Sequence, residues 1–365
     1  MNDLKSIPAY LMRGGTSKGL IFHKKDLPSD RNLLTEYLLK IMGSPDVRQI
    51  NGLGGGTSVT SKVCIISKSL EKNIDIDYFF AQVEVDRKHV DYGPTCGNML
   101  SALGPFAIEE GLVDISNEIT QVNVRSINTN ALITLDIPTP NGKLKYFGDY
   151  KIDGVPGTGS KILMNFKNLE GKTTGNLFPT GDLIDTFDGI NVTCFDLATS
   201  MIVCNAKDFN ILGNENSRVL NNNKQLLDRI EQIRLFAGKK MGMGDVKGKV
   251  LPKVSLLSKS TNKNTIISRY FTPYSCHETH AVTGTCCVAS CCLIPGTIGF
   301  NLLKKNESLD LNSEIVKIEH PLGFIDCMIV LNKNFKNNLV LKKDLIKSCG
   351  IYRTSRILMK GRVYL

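Results

Sequence analysis

The 365-residue chain has no tryptophan, and aromatic residues make up only 7% of it. Its formal net charge is +10, yet lysine and arginine are spread along the whole length. There is no compact basic block and no basic stripe interleaved with aromatics, so nucleic acid is not an expected partner. A diffuse positive field suits small anionic substrates instead. The longest apolar run, "CCVASCCLI", is far short of a bilayer span, so no membrane partner is expected. The opening "MNDLKSIPAYLMRGG" lacks the apolar core of about 7–15 residues and the cleavage site of a secretory signal. A cytoplasmic protein is the expectation.

Metal and nucleotide signals are also missing. No C-x-x-C pair occurs, and the five histidines (23, 89, 277, 280 and 320) form no ligand cluster with carboxylates. No metal is therefore expected. The cysteines number eleven, an odd count, with adjacent pairs at Cys286–Cys287 and Cys291–Cys292. That is not a disulfide framework, and buried thiols in a reducing compartment are the simpler reading. A phosphate-binding loop needs Gly-Lys followed by Ser or Thr, and "TSKV" around Lys62 fails on both sides. "GLGGGTS" (52–58) runs toward a strand rather than a helix, so it is no dinucleotide fingerprint. No cofactor is expected, and carboxylates fit better than nucleotides.

The chain is long enough for two domains. Short β-rich runs alternate with helical ones, an α/β (α+β) pattern. "YLMRGGTSKGLIFH" reads as strand, glycine turn, strand. "DRNLLTEYLLKIMG" reads as a helix capped by Asp30 or Ser29 and ended by Gly43, and a second helix opens near Cys96, cut short or bent by Pro105. Residues 168–185 are rich in Gly, Thr and polar side chains without apolar periodicity, which suggests a boundary. The expected division is 1–180, 186–350, and a tail 351–365 that packs back on the N-terminal domain. "SKVCIIS" (61–67) and "PKVSLLS" (252–258) are near copies, each followed some thirty residues later by a glycine-marked helix start, "CGN" (96–98) and "TGT" (283–285). A duplicated α/β unit explains this most simply.

Four glycine- or hydroxyl-rich stretches compete as anion cradles: "RGGTSKG" (13–19), "GLGGGTSVTSK" (52–62), "CGN" and "TGT". Lys62 either points to solvent at a strand end or, desolvated, serves as a base. Cys96 is either a small core residue or a thiol in the positive field of a helix N-terminus, where its pKa should fall below the free value of about 8.5.

"IPAYLMRGGTSKGLIF", "GSPDVRQINGLGGGTSVTSKVCII", "YGPTCGNMLSALGPFAIEEGLV", "AGKKMGMGDV" and "HAVTGTCCVASCCLIPGT", with the closing "RTSRILMKGRVYL", together resemble the family of methylaconitate isomerases and 3-methylitaconate Δ-isomerases. The resemblance covers nearly the whole chain in order. It implies a diaminopimelate epimerase-like fold: two topologically similar α/β domains with the active site in the cleft between them. It implies Lys62 and Cys96 as an acid/base pair, without saying which is the base. Ser17 and the histidine before "A-x-x-G-T" match the family's polar active-site residues. That histidine is His280, with His277 as the competing choice. Arg13, Thr16, Thr57, Ser58 and Thr283 are expected at the substrate carboxylates, as are the N–H groups of Gly97, Asn98, Gly284 and Thr285. The parent epimerases carry a second cysteine before glycine where this chain has Thr283, which disfavours a two-thiol racemase. The expected activity is a cofactor-independent Δ-isomerase. It would shift the double bond of a small unsaturated di- or tricarboxylate, of methylitaconate or 2-methylaconitate type, by allylic proton transfer. A tautomerase on an oxalomesaconate-like acid, or an accessory organic-acid-binding protein of the same fold, remains the alternative. A homodimer or homotetramer is expected.

Overall fold

The computed structural model describes residues 5–93, 95–272, 274–304, 313–332 and 344–365. The chain forms two compact units, one comprising the chain up to Asn165 together with Tyr352–Leu365, the other Phe166–Ile351. Residues 168–185, whose composition suggests a boundary, lie inside the second unit. The buried Asp196 carboxylate accepts from the Thr173 and Thr174 N–H groups (2.8 and 2.6 Å) and from the Thr174 hydroxyl (2.8 Å). These polar bonds, together with the buried Leu177 and Phe178, hold the stretch without a regular element, which is why it shows no periodicity.

The first unit begins with a hairpin, β1 (Ser6–Gly14) and β2 (Ser17–His23), whose Gly15 takes φ 53° at the turn. Helix α1 (Arg31–Met42) follows. The Asp30 carboxylate accepts from Leu33 N–H at its start, and Gly43 closes it with a left-handed φ of 77°; both are ordinary helix-ending chemistry. Then come β3 (Lys62–Lys68), β4 (Ile76–Val83), the short β5 (Val90–Asp91), helix α2 (Gly97–Glu109), β6 (Ile119–Ser126), β7 (Leu132–Pro138) and β8 (Ile162–Lys167). β2 runs parallel to β3 across α1, and β4 parallel to β6 across α2, while β3–β4 and β6–β7 are antiparallel. The closing strand Ser355–Tyr364 pairs antiparallel with β1.

Helix α2 runs on through Pro105 to Glu109 instead of stopping there. Its residues from Met99 to Ala107 are all buried. Each large apolar side chain among them contributes about 1.5–3 kcal/mol, which outweighs the single backbone bond proline removes.

The second unit repeats this order. After β9 (Asp185–Phe187) come the hairpin β10 (Ile190–Leu197) and β11 (Thr199–Asn205), the short α3 (Ser217–Asn221), α4 (Lys224–Lys240), β12 (Lys253–Lys259) and β13 (Thr265–Phe271). Helices α5 (Val282–Cys291) and α6 (Ile298–Leu302) precede β14 (Ser313–His320), β15 (Gly323–Leu331) and β16 (Ile346–Arg353). The β11–β12 and β13–β14 pairs are parallel, and β10–β11, β12–β13 and β14–β15 antiparallel. Both parallel pairs again span a helix, so "SKVCIIS" and "PKVSLLS" occupy like positions in like units. All eleven cysteines are free and buried. Among the described residues no helix is long and apolar enough to cross a membrane.

Candidate active site

In the first unit, Leu20, Phe22, Val63, Ile65, Ala81 and Val83 pack with Leu34 and Leu38 of α1. Side chains alternate along strands. The opposite face of the same sheet therefore carries Ser17 and Gly19 of β2, Lys62 and Cys64 of β3, and Tyr78, Phe80 and Gln82 of β4. Register sets Gly19 beside Lys62, and Lys62 beside Gln82. A Cβ at Gly19 would lie 2.4 Å from the Lys62 carbonyl oxygen and 3.0 Å from its Cβ, so glycine there leaves the lysine side chain room.

Lys62 is half-buried and does not simply reach for water. Its Nζ donates to Gln82 Oε1 at 2.6 Å and lies 5.3 Å from the centre of the Phe80 ring. Ser17, at the start of β2, is 2% exposed, and its hydroxyl has no partner among the described residues.

Helix α2 covers this face, with Phe106 against the Tyr10 and His23 rings at 5.0 and 5.2 Å. Cys96 is its N-cap, 8% exposed, with no hydrogen bond from its side chain to the first turn. The N–H groups there have no intrahelical acceptor and present a partial positive charge. Cys96 lies near Cys64, whose thiol is pushed up by burial and then by Cys96. Cys64 stands two residues along from Lys62 on the same face, which brings amine and thiol to one region. The Tyr78 hydroxyl is buried beside both cysteines, and its pKa is raised by burial and by them. Its polar neighbours are the Cys64 thiol and the Cys96 backbone.

The hairpin and the helix start are locked together. A Cβ at Gly14 would sit 2.7 Å from the Asn98 carbonyl oxygen and 2.9 Å from Met99 Cα. The Asn98 amide donates to Thr16 Oγ1 at 3.0 Å and accepts from Arg353 Nε at 3.2 Å. Arg13 donates to the carbonyls of Gly15 and Thr354, both at 2.9 Å. Burial, and the nearby Arg356, push its pKa down. Arg13 thus braces the turn rather than extending toward a ligand. Arg13, Thr16, Ser17, Lys62, Cys96, Gly97 and Asn98 therefore form one cluster.

Thr57 and Ser58 serve the loop that carries them. Thr57 Oγ1 bonds Thr60 Oγ1 at 2.8 Å, and the Ser58 carbonyl accepts from Gln82 Nε2 at 3.1 Å.

In the second unit, the N-cap of α5 is Ala281, and Thr283 is an exposed residue within the first turn. It therefore does not stand as Cys96 does. The Thr285 N–H is spent on the Ala281 carbonyl at 2.8 Å, so it is no free donor to an anion. A Cβ at Gly284 would meet the Tyr270 ring at 2.7 Å, so this glycine serves helix packing. His280 is 5% exposed. Its Nε2 shares a hydrogen bond with Ser268 Oγ at 3.0 Å, and its Nδ1 faces Thr285 Oγ1 and the Ala281 carbonyl at 3.2 and 3.3 Å. Burial pushes its pKa down to about 3, so the imidazole is neutral near pH 7. His277 accepts from the Thr279 N–H at 3.0 Å, and burial lowers its pKa too.

Sequence reading misses Gln82, Tyr78 and Arg353. The first two join the site through strand register, and Arg353 from the far end of the chain, where it opens the quoted "RTSRILMKGRVYL" without being singled out there. For Gln82 the signal is a lone polar residue in the otherwise apolar "FFAQV".

The like-built α/β units define the class, a diaminopimelate epimerase-like fold. A solved hydroxyproline epimerase from Agrobacterium vitis shares it at 9% identity, with a TM-score of 0.52 over 100% of this chain and 94% of that one. Within that class the chain belongs to the PrpF protein family, whose profile matches residues 4–365. The 4-oxalomesaconate tautomerase of Pseudomonas putida is 41% identical over 357 residues, covering 98% of this chain and 95% of that one. A solved methylitaconate-delta-isomerase is 36% identical with a TM-score of 0.87, over 100% of this chain and 96% of that one.

Proposed function

We propose that this protein is a cofactor-independent isomerase that shifts a double bond in a small unsaturated di- or tricarboxylate by allylic proton transfer. The observation that supports the reading is that Lys62, on one face of the first unit's sheet, and Cys96, at the start of α2, both lie close to Cys64. An allylic proton next to a carboxylate is weakly acidic, because the developing charge is delocalised onto a group already negative. Donors aimed at that carboxylate lower the barrier, and the N–H groups of Gly97 and Asn98 are so disposed. Lys62 and Cys96 then share the proton traffic: one form takes it from the allylic carbon, and its partner returns one at the other end of the allyl system. Base and acid are assigned to the pair rather than to either group. The Ser17 hydroxyl orients a carboxylate. His280 enters as a neutral hydrogen-bonding imidazole rather than as a base titrating near neutrality.

A second reading, tautomerisation of an oxalomesaconate-like acid, is supported by the 41% identical relative of that activity. It uses the same two groups, because enolisation is also a proton shift between carbon and an allylic partner. A conversion assay on methylitaconate, 2-methylaconitate, the aconitates and oxalomesaconate separates the two. Turnover of the methylated acids supports the first reading and turnover of oxalomesaconate alone the second. No turnover by the folded protein would contradict both.

A further inference from the structure

We infer that Gln82 is the positioning residue of Lys62, and that the glycine-rich loop at 52–61 is built to hold Gln82; this rests on the acid/base reading of Lys62 above. The side-chain amide of Gln82 has its orientation set by its donors. Nε2 donates to the carbonyls of Ser58 and Ser61 at 3.1 and 3.0 Å, with Val83 O further off at 3.4 Å. With both N–H groups committed, the acceptor Oε1 must face Lys62, and it does so at 2.6 Å.

The choice of an amide has a chemical consequence. A carboxylate at that distance would favour the ammonium and hold the proton on Lys62. An amide oxygen accepts an N–H from amine or ammonium alike, so it fixes the nitrogen in place without fixing its charge. A group that must release and regain a proton in each turnover needs that neutrality.

The loop supplies the two carbonyls, and its glycines are used internally. The buried Gln49 accepts from Gly56 N–H at 2.9 Å and from the Ser61 hydroxyl at 2.8 Å. A Cβ at Gly54 would lie 2.1 Å from Gln49 Oε1, and one at Gly55 would lie 2.6 Å from Thr60 Oγ1. The Val59 carbonyl accepts from Lys18 N–H at 2.9 Å, which ties the loop to β2. "GLGGGTS" is thus a bracket for Gln82, which accounts for its glycines without an anion.

The test compares Gln82→Glu, Gln82→Leu and Lys62→Ala in the full chain. Its readouts are kcat, KM and the pH profile on whichever acid the wild type converts, and the titration of the Lys62 ε-carbon by NMR in 13C-lysine-labelled protein. The Lys62 signal is identified by its loss in Lys62→Ala. Expected for Gln82→Glu is an upward shift of the Lys62 titration, and of the matching limb of the profile, by about 1–3 pH units. Expected for Gln82→Leu is a fall in kcat of about 10²-fold with KM little changed, as for a misplaced catalytic group. If Lys62→Ala is inactive while both Gln82 variants keep wild-type kcat and profile, the inference is overturned and the acid/base reading stands. If Lys62→Ala is fully active, or no acid is converted, the acid/base reading fails. The NMR titration then decides alone, and an unmoved Lys62 signal in folded Gln82→Glu overturns the inference.

Discussion

At the scale of single residues, position gives ordinary groups their function. Cys96 is one of eleven buried thiols, but it alone stands at the N-cap position of the helix that covers the face holding Lys62. Cys96→Ser and Lys62→Ala should each lower kcat by about 10²–10⁴-fold while the far-UV spectrum is unchanged; steady-state rates check this. His280 makes a different prediction. Its folded pKa, about 3, lies below the ordinary 6.5, so the unfolded chain binds a proton more readily. Stability should therefore fall as pH drops from 6.5 toward 3, and this dependence should shrink in His280→Gln; denaturant midpoints across that range measure it. Lys62 and Cys96 could be singled out from the sequence because the strings "TSK" and "CGN" carry the family resemblance. Gln82 could not, because it meets Lys62 only when β3 and β4 align twenty residues apart.

At the scale of elements, the β1–β2 hairpin and the first turn of α2 act as one piece. Gly14→Ala places a methyl against backbone at 2.7 Å, where no side chain can yield. It should cost about 1–3 kcal/mol of stability and reduce kcat, because the Cys96 end of α2 must shift; thermal melts and rates together check both. The far end of α2 is held by charge. Glu110 bonds His23 Nε2 at 2.8 Å and Lys360 Nζ at 2.9 Å, and accepts from the Tyr10 hydroxyl. Burial opposes its charge, but those three bonds outweigh it and hold its pKa down to about 2, below the usual 4.5. That contribution is complete above pH 4.5 and is lost as pH falls toward 2. Glu110→Gln should flatten the acid limb of stability and lower it near pH 7 by at most about 1 kcal/mol, the range for partly exposed ion pairs. Helix α1 was readable with both caps because Asp30 and Gly43 carry local signals. The extent of α2 was not, since tertiary burial overrides the breaker Pro105.

At the scale of the whole molecule, duplication is the organising fact, and the paired strings "SKVCIIS" and "PKVSLLS" made it visible. The two helix starts that looked alike as "CGN" and "TGT" nevertheless differ. One has Cys96 at its N-cap position, while the other has Ala281 there and its glycine packed on Tyr270. A three-residue string does not record its offset from the helix cap. The chain's last segment returns to the first unit, where Thr354 O accepts from Gly15 N–H at 3.0 Å. Removing residues 355–365 strips β1 of one of its two strand partners and leaves only β2 beside Tyr10–Gly14; the truncated chain should melt at lower temperature, and an unaltered Tm would count against that role.

The central claim is a proton shift carried by Lys62 and Cys96. The most direct measurement is NMR of a converted acid in D₂O with wild type, Lys62→Ala and Cys96→Ser. Deuterium entering the allylic position with wild type, and entering far more slowly with each variant, is the predicted result. Conversion and exchange at wild-type rates in both variants would contradict it.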